Sequence, residues 1–381
     1  MTRLFILIEK ASKRGRGQSV SQRYDIHWRG QVADYVTALA WSGDGEFLAI
    51  ASASGEVALW SETGQVVLRS PDDGQSMNCV GFSADGTYLA AAGQQGAVSI
   101  WRTDRLTQPP TVLTDSHCWV DQLTWHPTQP WLVFGANSRV SVWDVARAQQ
   151  LTEQDFGASS VLGLAWHPGG ELLAVSGHTG VKVWNVADWA AAPERMEVPG
   201  ASLSVAWSAD GAYLASGNLD KTLTVARWGE PPPWLMQGFP GKVRRVAWQS
   251  GWQSGWHSGG ANLAGVGDGE PVVAAACMEG VTVWRRRGQQ WKSSVLEGHV
   301  GTVSAIAFHP ARSLLASAAD DGLVCIWKDA RSLSTVLKGL KGGVGALAWQ
   351  PKGQQLAAGS SQGEVLIWKV SRRGTGFKKR S

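Results

Sequence analysis

The sequence predicts an all-β protein built from repeated four-stranded antiparallel sheets, and two series of aromatic residues support this prediction. The first series ends short apolar segments at steps of 41, 43, 41, 41, 41, 60 and 41 residues and comprises Trp41, Phe82, Trp125, Trp166, Trp207, Trp248, Phe308 and Trp349. The second series follows, mostly 18 or 19 residues behind the first, and comprises Trp60, Trp101, Trp143, Trp184, Trp284, Trp327 and Trp368. A fixed period of this size indicates a repeat architecture, and short strands repeating at that period are typical of β-propeller blades.

Each repeat contains four strand-like segments. The first is apolar and ends at the first aromatic series, as in VTALAW at 36–41. A turn rich in Pro or Gly leads into a second strand of small residues, as in FLAIAS at 47–52. The third alternates polar and apolar residues into the second aromatic series, as in EVALW at 56–60, and is typical of a half-buried antiparallel strand. A more variable segment such as QVVLRS at 65–70 completes the blade as an outer strand.

One repeat closely resembles the WD40 repeat family: residues 298–329, with the sequence GHVGTVSAIAFHPARSLLASAADDGLVCIWKD. The likeness extends over residues 24–370. The resemblance implies a buried hydrogen-bond tetrad comprising His299, Ser317, Asp321 and Trp327. The other repeats have different residues at the His position, and the Asp position holds Asp again only at Asp220. These departures favour the aromatic series over the tetrad as the main source of stability.

The number of blades depends on how the ring closes. Trp368 and the lysine after it are followed by VSRRGTGFKKRS, which offers no apolar outer strand. Residues 24–29, YDIHWR, precede the first repeat and form a surplus strand. The resemblance implies that this N-terminal strand completes the last blade, which leaves no open edge. We therefore expect eight blades, and a seven-bladed ring with one irregular unit is the alternative, because seven is the family's commonest count.

Charge and composition divide the chain into a propeller and two tails. Residues 1–23 form a basic extension, 24–370 the propeller and 371–381 a basic tail, and each end carries a net charge of +5 against +4 for the whole chain. The propeller is therefore mildly acidic, so any contact with nucleic acid or an anionic membrane is expected through the tails. A Gly/Ser/Trp-rich insertion at 249–270 accounts for the 60-residue step.

Several classes of protein are disfavoured by the sequence. No apolar run approaches the roughly 18 residues of a membrane span, and the hydrophobic stretch at 4–8 is too short for a secretory signal. Four single cysteines fit a reducing cytosol, so we expect a cytoplasmic protein. Three histidines, His126, His167 and His309, each precede a proline at the same turn and are expected to be turn residues. No cluster has metal-ligand spacing, and we expect no cofactor.

Five tryptophans outside both series are candidate partner-binding residues: Trp189, Trp228, Trp234, Trp252 and Trp256. We expect them in connections that emerge on one face of the propeller, where an exposed aromatic patch would bind a partner. The alternative is that they cover the propeller's own edge. The insertion lies on the same face, where it is either a tolerated surface loop or a partner-binding loop.

The opposite face supplies a second set of candidates just before or within the first strands: Tyr35, Trp119, Lys242, Arg244 and Arg245. The resemblance implies that this face commonly receives peptides, and a basic pair there suits an acidic peptide. The alternative is that these charges are simply solvated at the rim.

The sequence as a whole predicts a non-catalytic scaffold that binds one or more proteins and is monomeric outside its complex. It has no phosphate-binding loop, nucleophile elbow or paired carboxylates outside turns. Two alternatives stay open. The basic tails could bind nucleic acid or an anionic membrane, or an enzyme site could be assembled from loops around the channel mouth.

Overall fold

A computed structural model describes residues 23–70, 74–114, 118–157, 159–250 and 270–371. Within these ranges the regular structure consists of β-strands joined by turns. No helix in the described ranges has the length and hydropathy that a membrane span requires.

The first half of the ring is formed by β1 (Tyr24–Gln31), β2 (Val36–Trp41), β3 (Leu48–Ser52), β4 (Val57–Ser61), β5 (Gly64–Arg69), β6 (Met77–Phe82), β7 (Tyr88–Gly93), β8 (Ala97–Arg102), β9 (Thr111–Thr114), β10 (Val120–Trp125), β11 (Trp131–Ala136), β12 (Arg139–Asp144), β13 (Gln149–Asp155), β14 (Val161–Trp166), β15 (Leu172–Gly177), β16 (Gly180–Asn185) and β17 (Glu194–Met196). The second half is formed by β18 (Ser202–Trp207), β19 (Tyr213–Asn218), β20 (Leu223–Arg227), β21 (Glu230–Met236), β22 (Arg245–Trp248), β23 (Val272–Cys277), β24 (Gly280–Arg287), β25 (Gln290–Glu297), β26 (Val303–Phe308), β27 (Leu314–Ala319), β28 (Val324–Lys328), β29 (Ser332–Leu337), β30 (Val344–Trp349), β31 (Gln355–Ser360) and β32 (Glu364–Val370).

These strands form eight four-stranded antiparallel sheets, which confirms the predicted eight-bladed propeller and excludes the seven-bladed alternative. Blades 1 to 7 each use four consecutive strands, from β2–β5 to β26–β29. Blade 8 has the order β1-β32-β31-β30, so the N-terminal strand supplies the outer strand that the C-terminal repeat lacks. The pairing runs from Tyr24 opposite Val370 to Gln31 opposite Glu364.

The seams between blades are built from both aromatic series. Each second-series tryptophan packs toward the preceding blade, as Trp184 of blade 4 does against Val140 and Val142 of blade 3. Four of the six first-series indoles add a directional bond, and those of Trp166 and Trp207 are the exceptions. The N–H of Trp41 donates to the carbonyl of Ala348 in blade 8 at 3.1 Å. The same bond joins Trp349 to Ala307, Trp125 to Gly81 and Trp248 to Ala206. Neighbouring innermost strands are thereby fixed to one another.

A second bond links the turns of neighbouring blades. His309 Nε2 lies 2.9 Å from the carbonyl of Gly353 in the next blade, while its Nδ1 accepts the N–H of Ala311 at 3.0 Å. Because Nδ1 is an acceptor, Nε2 carries the proton and the imidazole is neutral. His126 makes the equivalent bond to Gly170, and Gln350 makes it to Gly45 across the closure of the ring. Burial lowers the pKa of both His126 and His309.

Removing the N-terminal strand tests the closure. Deletion of residues 1–31 leaves blade 8 with three strands and an unpaired β32 edge, so we expect the free energy of unfolding to fall by about 3 kcal/mol or more. We also expect the truncated protein to self-associate through the exposed β32 edge. Deletion of residues 1–22 keeps β1 and is the matched control. Denaturant unfolding and light scattering provide the measurement, and equal behaviour of the two truncations would contradict this role of β1.

The turn histidines predict a pH effect. The lowered pKa values mean that the unfolded chain takes up protons first, so stability should fall as the pH drops below about 6.5 and the imidazoles are forced to charge. Glutamine already makes this bond at position 350, so the double variant His126→Gln, His309→Gln should fold and lose most of that pH dependence. The exposed His178→Gln is the control, and an unchanged pH profile in the double variant would refute the assignment.

Candidate functional site

The two faces of the ring carry different connections. The upper face carries the connections between blades, such as residues 32–35 before β2. It also carries the turns between second and third strands, such as residues 53–56 between β3 and β4. The lower face carries the turns from first to second strand and the connections from third to fourth strand. Residues 251–269 of the insertion lie outside the described residues.

Exposed large hydrophobic side chains distinguish the upper face of the described ring from its lower face. Five lie in upper-face connections, and they are Tyr35, Trp119, Leu219, Met278 and Val300. Six more lie on outer strands at the perimeter, and they are Ile26, Val66, Val67, Val112, Leu235 and Val295. The part of the lower face that the structure describes has none. Exposed apolar side chains concentrated on one face are the usual mark of a binding surface.

A pocket adjoins the most exposed of the sequence-predicted aromatics. Trp119 has 58% of its surface exposed and lies just before β10, at the seam of blades 3 and 4. A cavity of about 340 Å³ next to it is lined by residues of both blades, among them Asp121, Asn137 and Val161. Trp119 and this pocket can therefore hold one side chain of a partner.

The predicted basic residues lie together on blade 6. Arg245 donates from Nε to the carbonyl of Ser304 in blade 7 at 3.1 Å. Its side chain is exposed to solvent, although it has protein atoms on several sides. Burial lowers the pKa of Arg245, and the neighbouring charge of Arg244 lowers it further. Neither arginine forms an ion pair with another described residue. With the exposed Lys242, they place three positive charges at the inner end of blade 6 on the upper face.

Three upper-face residues that sequence reasoning missed flank this basic cluster. Leu219, Met278 and Val300 belong to blade 5, blade 6 and the connection into blade 7, whereas Tyr35 and Trp119 lie farther around the ring on blades 1 and 3. Met278 is 52% exposed and has a φ of 48°, a left-handed conformation that normally favours Asn or Gly. Neither property can be read from the repeat period, so the sequence carries no signal that would have identified Met278.

The lower-face tryptophans are mostly packed against the propeller itself. Trp189, Trp228 and Trp234 are all partly buried, and they form no exposed patch. Trp189 packs on the seam of blades 3 and 4, and Trp228 packs edge-on against Trp207 with ring centroids 5.2 Å apart. The expectation that Trp234 lies in a connection is wrong, because it pairs with Val225 in the outer strand β21. Trp252 and Trp256 lie outside the described residues.

The four tetrad residues form one hydrogen-bonded chain in blade 7. The indole N–H of Trp327 donates to Ser317 Oγ at 2.8 Å, and His299 Nε2 lies 2.8 Å from the same oxygen. Nδ1 of His299 lies 3.1 Å from Asp321 Oδ2, which also accepts the backbone N–H of Val300 at 3.0 Å. Since the indole only donates, the serine hydroxyl donates to Nε2 and the protonated Nδ1 donates to the carboxylate.

Other blades satisfy the same backbone donor with different side chains. Glu56 Oε2 accepts the N–H of Ala33 at 2.7 Å in blade 1, and Glu364 Oε2 accepts the N–H of Lys341 at 2.8 Å in blade 8. Both N–H groups occupy the position of Val300 in blade 7. The glutamates precede the third strand or begin it, so they were not recognisable as substitutes for Asp321 from the sequence.

Blade 5 has a buried polar network of its own. The hydroxyls of Ser202 and Ser216 are 2.6 Å apart, and Ser216 Oγ donates to Asn218 Oδ1 at 2.6 Å. Asn218 Nδ2 in turn donates to the hydroxyls of Thr222 and Thr224, each at 2.9 Å. This network ties the second and third strands together in the blade whose third strand lacks the tryptophan.

The described residues contain no group of three or more His, Cys, Asp or Glu side chains placed to hold a metal ion.

Comparison with known proteins agrees with this geometry. A family model described as "WD domain, G-beta repeat" matches residues 108–144, 150–185, 199–225, 290–328 and 331–369. A second model, described as "Anaphase-promoting complex subunit 4 WD40 domain", matches residues 13–84, and together the two cover more than half of the chain. No curated protein sequence matches.

Solved structures with this architecture are numerous, since 1697 chains match. One belongs to a structure described as "Crystal Structure of Mitotic Checkpoint Complex", with 17% sequence identity, a TM-score of 0.59 and coverage of 93% of this chain and 94% of that chain. At this identity the likeness concerns the fold alone, and so common a fold does not single out a function.

The hydrogen bonds of Asp321 predict its contribution to stability. Replacing it by Ala leaves the N–H of Val300 and the Nδ1–H of His299 without an acceptor, so the free energy of unfolding should fall by about 1–3 kcal/mol. Asp320→Ala, an exposed neighbour, is the matched control. If both variants unfold at the same denaturant concentration as the wild type, the contribution of Asp321 is refuted.

The same carboxylate predicts an acid-dependent difference. Burial raises the pKa of Asp321, but the bonds from His299, Val300 and Leu323 outweigh burial and hold the pKa below its usual range. Its contribution should therefore be complete above about pH 4 and be lost as the pH falls through the lowered pKa. The difference in stability between wild type and Asp321→Ala should shrink over that interval.

Proposed function

The chain belongs to the WD40 repeat family of β-propellers, and we propose on that basis that it is a non-catalytic scaffold that binds protein partners through its upper face. The observation that carries this proposal is the uneven distribution of exposed apolar side chains, five of which lie in upper-face connections while the described lower face has none. A rigid ring holds these side chains at fixed positions, which limits the entropy lost on binding.

Blades 5 to 7 favour a partner that is acidic and apolar. Arg244, Arg245 and Lys242 supply positive charge at the inner end of blade 6, and Leu219 and Met278 lie beside them in neighbouring turns. Charge of this kind steers association and sets specificity, while buried apolar contacts supply most of the affinity. A short acidic segment with one or two bulky apolar residues satisfies both requirements.

The family match adds support for a role within an assembly. The model that matches residues 13–84 describes the WD40 domain of a subunit of a multiprotein complex. We propose a cytoplasmic scaffold with one or more protein partners, and the match identifies none of them.

The basic tails support a second candidate, association with nucleic acid or an anionic membrane. Each tail carries a net charge of +5 beside a mildly acidic propeller. Trimming residues 1–23 and 371–381 should abolish salt-sensitive binding to DNA or anionic vesicles if the tails carry it, while leaving protein binding by the upper face intact.

The scaffold proposal predicts which surface a partner requires. Trp119→Ala and Arg244→Glu should each reduce capture of at least one protein from an extract of the native host, because loss of an aromatic anchor or a buried charge pair costs on the order of tenfold or more in affinity. Lys352→Glu, an exposed lower-face substitution, is the matched control. Quantitative mass spectrometry of affinity captures provides the measurement.

All three variants should keep the wild-type unfolding midpoint, because each side chain is exposed. Identical sets of captured proteins from the wild type, both upper-face variants and the control would overturn the proposal.

A further inference from the structure

The seam between blades 4 and 5 contains a groove that the other seams fill with protein. In blade 5 the second aromatic series is interrupted by Ala226, which pairs with Leu214 as Trp184 pairs with Leu173 in blade 4. Ala226 faces blade 4, where it packs near Met196 and Val183. A groove of about 600 Å³ opens at this point on the perimeter of the ring.

Two further departures from the repeat hold the groove open. The outer strand of blade 4, β17, has three residues, so its pairing with β16 ends at Glu194 opposite Val183. In blade 5, the outer strand β21 bulges between its pairs with Val225 and Arg227, so no residue of β21 lies opposite Ala226. Three prolines at 231–233 occupy the bulge, and they cannot donate to the sheet. The outer strand of blade 4 is therefore short, and the bulge moves the outer strand of blade 5 away from Ala226.

The groove has an aromatic and proline-rich wall. Trp228 lies two positions beyond Ala226 and therefore on the same side of the chain, where its ring meets Trp207 edge-on. Trp228 thus restores one ring contact of the missing tryptophan without filling the space above Ala226. The remaining space is apolar at its floor, with Ala226 and Met196 on opposite sides.

The charge that faces the groove is acidic. Three carboxylates, Glu194, Glu197 and Glu230, line the groove together with two guanidinium groups, Arg195 and Arg227, so the lining carries one more negative than positive charge. Glu194 alternates with Arg195 and faces blade 5 as Met196 does. It forms no ion pair with a described residue. The one arginine near the opposite wall, Arg227, is paired with Glu230 at 3.1 Å.

We propose that this groove is a second docking site, separate from the upper face, for a partner segment that presents one large aromatic side chain next to a lysine or arginine. The aromatic side chain would occupy the place that tryptophan fills in the other blades, against Ala226, Met196 and Trp228. The neighbouring cation would pair with Glu194. Because the two docking sites lie on different surfaces, the ring can hold two partners together.

The test is a panning experiment with random 12-residue displayed peptides on the full-length chain. Ala226→Trp fills the groove, Glu194→Lys reverses its charge, and Glu46→Lys reverses an exposed charge on blade 1 as the matched control. Peptides with an aromatic residue within two positions of Lys or Arg should be enriched on the wild type and the control. Their recovery should fall on the order of tenfold or more on Ala226→Trp and also fall on Glu194→Lys.

Peptides selected by the upper face provide an internal control, because their recovery should be the same on all four proteins. The proposal is overturned if no class of peptide is lost on Ala226→Trp, or if the class that is lost lacks the aromatic and basic pair. Circular dichroism and thermal unfolding check each variant. If Ala226→Trp prevents folding, Ala226→Met, which partly fills the groove, replaces it beside Glu194→Lys. The proposal is then overturned if neither variant loses a class of peptide, or if the class that is lost lacks the aromatic and basic pair.

Discussion

Face-to-face packing of neighbouring blades is the interaction on which the rest of the structure depends. A single four-stranded blade has two apolar faces and can bury them only against two neighbours, so the ring is stable only when it is closed. The first aromatic series makes this packing directional, because indole N–H groups such as that of Trp41 bond to the inner strand of the preceding blade. The bond of Gln350 to Gly45 shows that the seam of the first and last blades follows the same rule.

One hydrogen bond in the connection that enters a blade is kept in blades that lack the family's tetrad. The backbone N–H three residues before the first strand bonds to a carboxylate in three blades, but the acceptor need not be a particular side chain. Asp321 satisfies this N–H in blade 7, and Glu56 and Glu364 satisfy it in blades 1 and 8. The physical constraint is thus retained in blades whose sequence no longer shows the motif.

The sequence could predict features that depend on local pattern. VTALAW at 36–41 is strand β2 with the same bounds, and the surplus segment at residues 24–29 forms the outer strand of blade 8, because a repeat with three strands requires a fourth. Features that depend on which side chains meet across a seam were not predictable. Trp234 lies in an outer strand and not in the expected connection, because after the bulge the strand pairs again directly beyond the three prolines. Likewise, Met278 is exposed in the turn between β23 and β24, and the repeat period does not encode the exposure of a turn residue.

The interruption at Ala226 shows how a regular ring can accommodate a functional surface. Removing a buried tryptophan side chain from a core costs on the order of 3–5 kcal/mol, which a small domain could not tolerate. Here the loss is confined to one of eight seams, and blade 5 contains compensating interactions: the contact of Trp228 with Trp207 and the buried network of Ser202, Ser216 and Asn218. These interactions stabilise the blade 5 wall of the groove without closing it. A groove whose walls are fixed by the fold loses little entropy when it is occupied, so a seam that lacks its tryptophan but keeps its neighbouring strands packed is well prepared to bind a side chain from another molecule.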